Sequence, residues 1–268
     1  MMDEKEPQQS RRGFVKKTTA LLGAAVLAAP SANAISLTNP GRESGDARYI
    51  GQEGKRFGMV IDLRKCVGCQ ACTSACKSEN RVPKEKFRTY VPEYELGSYP
   101  NVHKAFLPQL CNHCAEPSCV SVCPTGATFA RKDGIVVVDN EICWGCGYCI
   151  NACPYDKRYF NPISNVADKC TLCAHRVDHG LLPACVESCV GGARVFGDFN
   201  DPHSAVSKLL SSFPTTVLKP ASGTKPRVFY IALSGEIQGL PYSLKALDDM
   251  ARKIDGMSTT REWSTKGE

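Results

Sequence analysis

Apolar positions along this chain gather into short runs separated by polar, glycine- and proline-rich stretches. Phe57-Gly58-Met59-Val60-Ile61-Asp62 predicts a strand, as does Arg194-Val195-Phe196. Ala127-Thr128-Phe129-Ala130-Arg131 and Ile135-Val136-Val137-Val138 flank Lys132-Asp133-Gly134, and two β-rich runs around Asp-Gly predict a hairpin. Farther on, Arg227–Leu233 predicts a strand, and residues 203–213 and 241–253 are spaced as amphipathic helices. Residues 77–110 carry Pro83, Pro92, Pro100, Pro108 and several tyrosines; they are expected as a surface insertion, either a partner contact or a plain structural loop. The last twelve residues are polar and expected to fray.

The longest apolar run, Ala20–Ala29, lies near the N-terminus behind Ser10-Arg11-Arg12-Gly13-Phe14-Val15-Lys16 and ahead of Ala32-Asn33-Ala34. A charged segment, a short apolar core and a small-residue cleavage site form a signal peptide over residues 1–34, and the paired arginines are of the twin-arginine type. The run is about half the roughly 20 residues that a spanning helix needs. The mature chain is therefore expected to be periplasmic and soluble, meeting a membrane only through a partner. Because the twin-arginine route exports folded proteins, a cofactor inserted before export is compatible with this address.

Composition adds one anomaly. Sixteen of the 268 residues are cysteine, high for this length yet below the roughly 8–10% of short disulfide scaffolds. They fall into four quartets. The first is Cys66-x2-Cys69-x2-Cys72-x3-Cys76 and the second Cys111-x2-Cys114-x4-Cys119-x3-Cys123-Pro124. The third is Cys143-x2-Cys146-x2-Cys149-x3-Cys153-Pro154, and the last, Cys170-x2-Cys173 with Cys185-x3-Cys189, is stretched. Three closely spaced cysteines wrap a loop around one face of a cubane cluster, and the fourth, in two-cluster ferredoxins, reaches the neighbouring cluster. Such tight loops call for small residues between ligands, here Gly68, Ala71, Gly145 and Gly147.

Three rival chemistries fit less well. Runs of Cys-x2-Cys-x2-Cys suit disulfide geometry poorly. Zinc sites usually show two separated pairs or Cys/His mixtures. Haem attachment needs a histidine where Gln70, Ala115, Gly147 and Ala174 stand. The quartets therefore predict four [4Fe–4S] clusters. No nucleotide-binding motif or catalytic triad is in a convincing context, and a cubane with four cysteines leaves no iron open to substrate. The chain is expected to transfer electrons rather than catalyse.

The hairpin between the second and third quartets is the expected connector of a two-cluster module, which leaves the first and last quartets to pair around it. The expected fold is α+β: two interleaved ferredoxin-like modules, each with two clusters, plus loop insertions and a C-terminal extension. The outer module would take residues 56–110 and 166–200, the inner 111–165, and the extension 201–268. Crossing the fourth ligands groups Cys66, Cys69, Cys72 and Cys189; Cys76, Cys170, Cys173 and Cys185; Cys111, Cys114, Cys119 and Cys153; and Cys123, Cys143, Cys146 and Cys149.

Charge then changes meaning. The formal +6 falls to about +4 without the leader and to about −4 with four clusters of about −2 each, so no nucleic-acid partner is implied. Trp144, inside the third quartet, is expected to shield a cluster by packing, the alternative being that it abuts an electron path. His113, His175 and His179 lie near ligand cysteines, but no cysteine is missing for a histidine to replace as in a Rieske centre. Arg64, Lys65, Lys169 and Arg176 either raise cluster potentials or are simply solvated charges.

At the quartets the sequence resembles the four-cluster iron–sulfur subunits of the molybdopterin oxidoreductases, such as dimethyl sulfoxide, polysulfide and tetrathionate reductases. Cys111-Asn-His-Cys114, Asp133–Asn140, Leu181–Arg194 and Lys225–Ile231, with the twin-arginine leader, look most like the tetrathionate reductase branch. The resemblance implies a catalytic molybdopterin subunit, a quinol-oxidising integral membrane subunit, and this chain as the wire between them. Other readings remain: a free polyferredoxin carrier, against which the insertion and extension argue, and the equivalent subunit of a polysulfide, dimethyl sulfoxide or other reductase, of a formate dehydrogenase or of a hydrogenase.

Overall fold

The computed structural model describes residues 46–240. The expected leader, the helix expected over 241–253 and the polar tail lie outside the described residues. The fold is α+β, with short strands and mostly one-turn helices. In chain order the strands are β1 (Phe57–Asp62), β2 (Thr89–Tyr90), β3 (Glu93–Leu96), β4 (His103–Phe106), β5 (Gln109–Leu110), β6 (Thr128–Ala130), β7 (Val136–Val138), β8 (Arg158–Asn161), β9 (Val166–Lys169), β10 (Arg194–Asp198), β11 (Thr215–Thr216) and β12 (Val228–Ile231).

The main sheet runs β10-β1-β12-β11. Strand β1 pairs antiparallel with β10 (Ile61 opposite Arg194) and parallel with β12 (Met59 opposite Val228). It is buried throughout, as a near-continuous apolar run predicts for a strand covered on both faces. Met59 and Ile61 face the main core with Val228 and Tyr230. Val60 and Ile231 face the other way, onto Val206 of the helix Ala205–Ser212. That helix is capped by Ser204, whose hydroxyl accepts from Ser207 N–H at 3.3 Å. The sheet thus turns one face to a helix and the other to the cysteines.

The C-terminal segment is integral to this arrangement, because β12 is an inner strand beside β1. Residues just before it run along the second quartet: Ala115 and Glu116 N–H donate to Lys225 and Thr224 carbonyls, and Arg227 N–H to Asn112. The expected hairpin forms as β6–β7. A second hairpin, β8–β9, sets Arg158 opposite Lys169, and the division expected at 165/166 falls at its turn.

The insertion expected as a loop contains β2–β5 and β3–β4 pairings. Tyr94 and Leu96 are buried while Glu93 and Glu95 are exposed, the alternation of a half-buried strand. The prolines flank rather than interrupt these strands, and Tyr90, Val91, Leu107 and Leu110 enter the core.

Candidate cluster-binding centre

A repeated backbone turn builds each quartet. The residue just before the second cysteine is left-handed in all four: Gly68 (φ 69°), His113 (φ 42°), Gly145 (φ 69°) and Leu172 (φ 50°). Two of these turns therefore occupy a conformation that costs a side-chain-bearing residue about 1–3 kcal/mol. Both offset the cost by burial: His113 and Leu172 are essentially inaccessible. A second repeat follows the last cysteine. Gly126, Asp156 and Gly192, each three residues beyond Cys123, Cys153 and Cys189, are left-handed with φ of 71°, 55° and 62°.

The thiols come together across distant segments. Cys66, Cys69, Cys72 and Cys189 line one cleft of about 330 Å³, with Gln70 and Arg194 on its wall. The two chain segments approach backbone to backbone, for a Cβ on Gly191 would lie 2.2 Å from the Lys65 carbonyl oxygen. Cys76, Cys170, Cys173 and Cys185 line a second cavity of about 260 Å³. The Asn80 amide nitrogen stands 3.6 Å from both Cys76 and Cys173 sulfurs. Cys111, Cys119 and Cys153 all act electrostatically on Cys114. Cys143 and Cys149 share a small apolar cluster with Cys119, Val136 and Ala167, and Cys123 accepts from Thr128 N–H at 3.4 Å. None of the sixteen cysteines is joined in a disulfide.

Among the described residues no His/Cys/Asp/Glu set is arranged to hold a single metal ion. A cubane makes a different demand, because each thiolate binds its own iron corner.

Burial makes several of the thiols poor acids. It pushes Cys76 and Cys114 up to about 12, Cys185 up to about 11, and Cys170 well above the ordinary value. Cys123 moves the other way. Burial raises it too, but hydrogen bonds from Thr128 N–H and Thr125 bring it below the usual thiol range.

The surrounding interior is electropositive. Arg158 and Lys169 are buried and directly opposite in the β8–β9 register, although like charges so placed repel. Arg158 Nη2 donates to Cys119 Sγ at 3.0 Å, and the Lys169 ammonium donates to the carbonyls of Val136 and Cys170. Arg194 is also buried, and its Nη1 has no hydrogen-bond partner. Burial, together with Lys169, Arg227 and Arg158, holds His113 well below its usual range. Its Nδ1 accepts from Val136 N–H at 3.1 Å. Buried cations beside neutral thiols are unfavourable by themselves. They fit groups that carry net negative charge once the thiols ionise.

The comparisons agree with this chemistry. Residues 57–78 match the 4Fe-4S binding domain, and residues 102–199 match the 4Fe-4S dicluster domain. The tetrathionate reductase B subunit of Salmonella typhimurium is 50% identical over 229 residues, covering 84% of this chain and 88% of that protein. The chain belongs to the iron–sulfur subunits of the molybdopterin oxidoreductases. The chain carries several [4Fe–4S] clusters, and its sixteen cysteines are consistent with four. Within this family, the tetrathionate reductase B subunit of Archaeoglobus fulgidus is 47% identical, covering 72% of this chain and 89% of that protein. The arsenate respiratory reductase iron–sulfur subunit of a Shewanella species is 39% identical, covering 67% and 97%.

The residues singled out beside the ligands behave differently. Trp144 is 80% exposed among the described residues. Its place in the surface loop of the third quartet aims it outward, a direction that spacing does not report. Arg64 pairs with Asp62, and Arg176 with Glu79 and Glu187, as ordinary partnered charges. His175 also pairs with Glu79. Of the cations named from the sequence, Lys169 alone is fully buried among the thiols. Arg158 and Arg194 escaped notice because each opens a strand and resembles any polar strand end. Thr224, in a segment without apparent chemistry, hydrogen-bonds Tyr155 at 2.6 Å and lies close enough to Cys114 to act on it.

Proposed function

We propose that this chain is the non-catalytic electron-relay subunit of an exported respiratory reductase, with tetrathionate the terminal acceptor. It would stand between a membrane subunit that oxidises quinol and a molybdopterin catalytic subunit. Its ligands would be Cys66/Cys69/Cys72/Cys189, Cys76/Cys170/Cys173/Cys185, Cys111/Cys114/Cys119/Cys153 and Cys123/Cys143/Cys146/Cys149, in two interleaved ferredoxin-like modules. The bound clusters would supply one-electron transfer.

The observation that carries the reading is the continuity of the quartets. Arg194 acts on Cys72 and Cys189 of the first group and on Cys185 of the second. Cys170 of the second feels Cys111 of the third, and Arg158 acts on Cys119 of the third and Cys149 of the fourth. Cys69 and Cys146, in the first and fourth groups, are exposed. Apolar side chains stand in the open beside them: Val67 and Val190 near the first, Trp144 and Tyr148 near the second. A row of buried sites with an accessible group at each end suits a relay between two partners. No helix among the described residues is long and apolar enough to cross a membrane, so membrane attachment is assigned to the partner. The two tetrathionate reductase relatives favour that substrate, and the twin-arginine pattern favours periplasmic export.

The test is anaerobic purification of the native complex through a C-terminal tag on this chain. A molybdenum-containing subunit and a membrane subunit should co-purify from the periplasmic face, and tetrathionate should reoxidise the quinol-reduced complex. A stable monomer with no partner would overturn the relay. Reoxidation by arsenate but not by tetrathionate would overturn the substrate assignment alone.

A further inference from the structure

Two arginines occupy equivalent places in the two halves of the site. Arg158 and Arg194 each follow the last cysteine of a quartet by five residues, and each opens a strand, β8 or β10. Each comes two residues after a left-handed turn residue, Asp156 or Gly192. Both are almost wholly buried, at 4% and 3% exposure. Each is also anchored on a buried threonine hydroxyl: Arg194 Nη2 donates to Thr89 Oγ1 at 2.8 Å, and Arg158 Nη1 to Thr128 Oγ1 at 3.2 Å. No ion pair with a carboxylate is formed by either among the described residues. The free part of each guanidinium is turned to sulfur. Arg158 Nη2 touches Cys119, and Arg194, with its unpartnered Nη1, forms part of the wall of the Cys66/Cys69/Cys72/Cys189 cleft.

We propose that Arg194 and Arg158 are internal counter-cations, each shared by the two clusters of one module, and that each raises the reduction potentials of both. The proposal rests on the cluster assignment above. A guanidinium keeps its proton in any protein environment, so its charge is permanent. Reduction takes a thiolate-bound cubane from about −2 to about −3, and a fixed cation in a low-dielectric interior favours the more negative state. Each arginine has electrostatic reach to both sides of its junction. Arg194 acts on Cys72 and Cys189 and on Cys185, and Arg158 acts on Cys119 and on Cys149. The threonine holds the guanidinium still, so its field is not averaged over rotamers.

The test is an EPR-monitored redox titration of the full complex carrying R194Q, R194K or R158Q, with iron and sulfide measured on each sample. R194Q should lower the two outer-module potentials, with at least a tenfold fall in the reduced-to-oxidised ratio at fixed potential, which is 59 mV for one electron. It should leave the inner pair in place, R158Q should do the reverse, and R194K should restore most of the loss. Unmoved potentials at full iron content would overturn the proposal, as would an equal shift of all four clusters. If R194Q loses iron, T89V serves instead: it keeps the charge but frees the guanidinium, and should shift the same two potentials by less. Lost iron in R194Q with unchanged potentials in T89V would assign Arg194 to assembly alone and overturn the proposal. Wild-type protein without [4Fe–4S] signals would instead defeat the cluster assignment beneath it.

Discussion

The first and third quartets, tightly spaced, differ from the stretched second and fourth in more than spacing. The tight loops use glycine at the left-handed turn, Gly68 and Gly145, and each leaves its second cysteine exposed. The stretched ones place His113 and Leu172 there, buried, with Cys111, Cys170 and Cys173 buried beside them. At Gly68 and Gly145 an added Cβ would lie 2.3 Å from the Phe106 ring and 2.6 Å from the Asn165 carbonyl oxygen, so these turns have room only for the residue of lowest strain. An interior loop gains more from filling space than it loses to an unfavourable φ. Loop spacing therefore tracks exposure: each tight loop leaves a cysteine open, and each stretched loop is buried at its turn.

The largest expected contrast comes from the ligands themselves. Cys170→Ser should leave little soluble chain, because it changes a buried cysteine of the main core that is also a proposed ligand. Cys146→Ser, at an exposed position, should leave a folded chain with roughly three-quarters of its iron. Expression level and iron per chain check both, and equal losses would break the comparison.

Next is the turn residue. Leu172→Gly relieves the left-handed strain but removes a core side chain, and a net destabilisation of about 2–3 kcal/mol is expected in denaturant unfolding. Gly145→Ala acts in the opposite sense, adding a Cβ 2.6 Å from the Asn165 carbonyl oxygen. It should cost about 1–2 kcal/mol through backbone strain. A stabilised Leu172→Gly would show that the interior turn is not held by packing.

Removing the metal should expose the pH dependence of the interior. Burial holds Cys76 and Cys114 up to about 12. A thiol that binds its proton more tightly folded than unfolded contributes stability that is fully present below the unfolded value of about 8.5. That stability is lost as pH rises from there through the raised folded value. The cluster-free chain is therefore expected to lose urea resistance steadily between about pH 9 and pH 11. Loaded chain, whose thiols are already ionised on iron, should lack this slope.

The smallest effect is expected at Trp144. Its exposure predicts that Trp144→Ala changes stability by no more than about 0.5 kcal/mol, while weakening co-purification of a partner. A large loss of stability would place the ring in packing after all.

Much of the framework was legible in the sequence, and what was missed shares a physical cause. Strand β1 matches its apolar run, and β10, β12 and the β6–β7 hairpin lie where Arg194–Phe196, Arg227–Leu233 and Asp133-Gly134 indicated. The quartets were legible because ligand chemistry restricts both residue type and spacing. The β3–β4 hairpin was hidden by prolines that mark its ends, although Glu93-Tyr94-Glu95-Leu96 carries the alternation of a strand. The exposure of Trp144 and the burial of Arg158 and Arg194 depend on which face a turn presents. That is decided by pairings such as Ile61 with Arg194, across more than a hundred residues.

The most direct measurement is anaerobic iron and sulfide analysis of the purified chain, combined with EPR of the dithionite-reduced sample. The account predicts about sixteen irons per chain and coupled [4Fe–4S]⁺ signals from neighbouring centres. Stoichiometric zinc, or cysteines fully paired as disulfides, would contradict it.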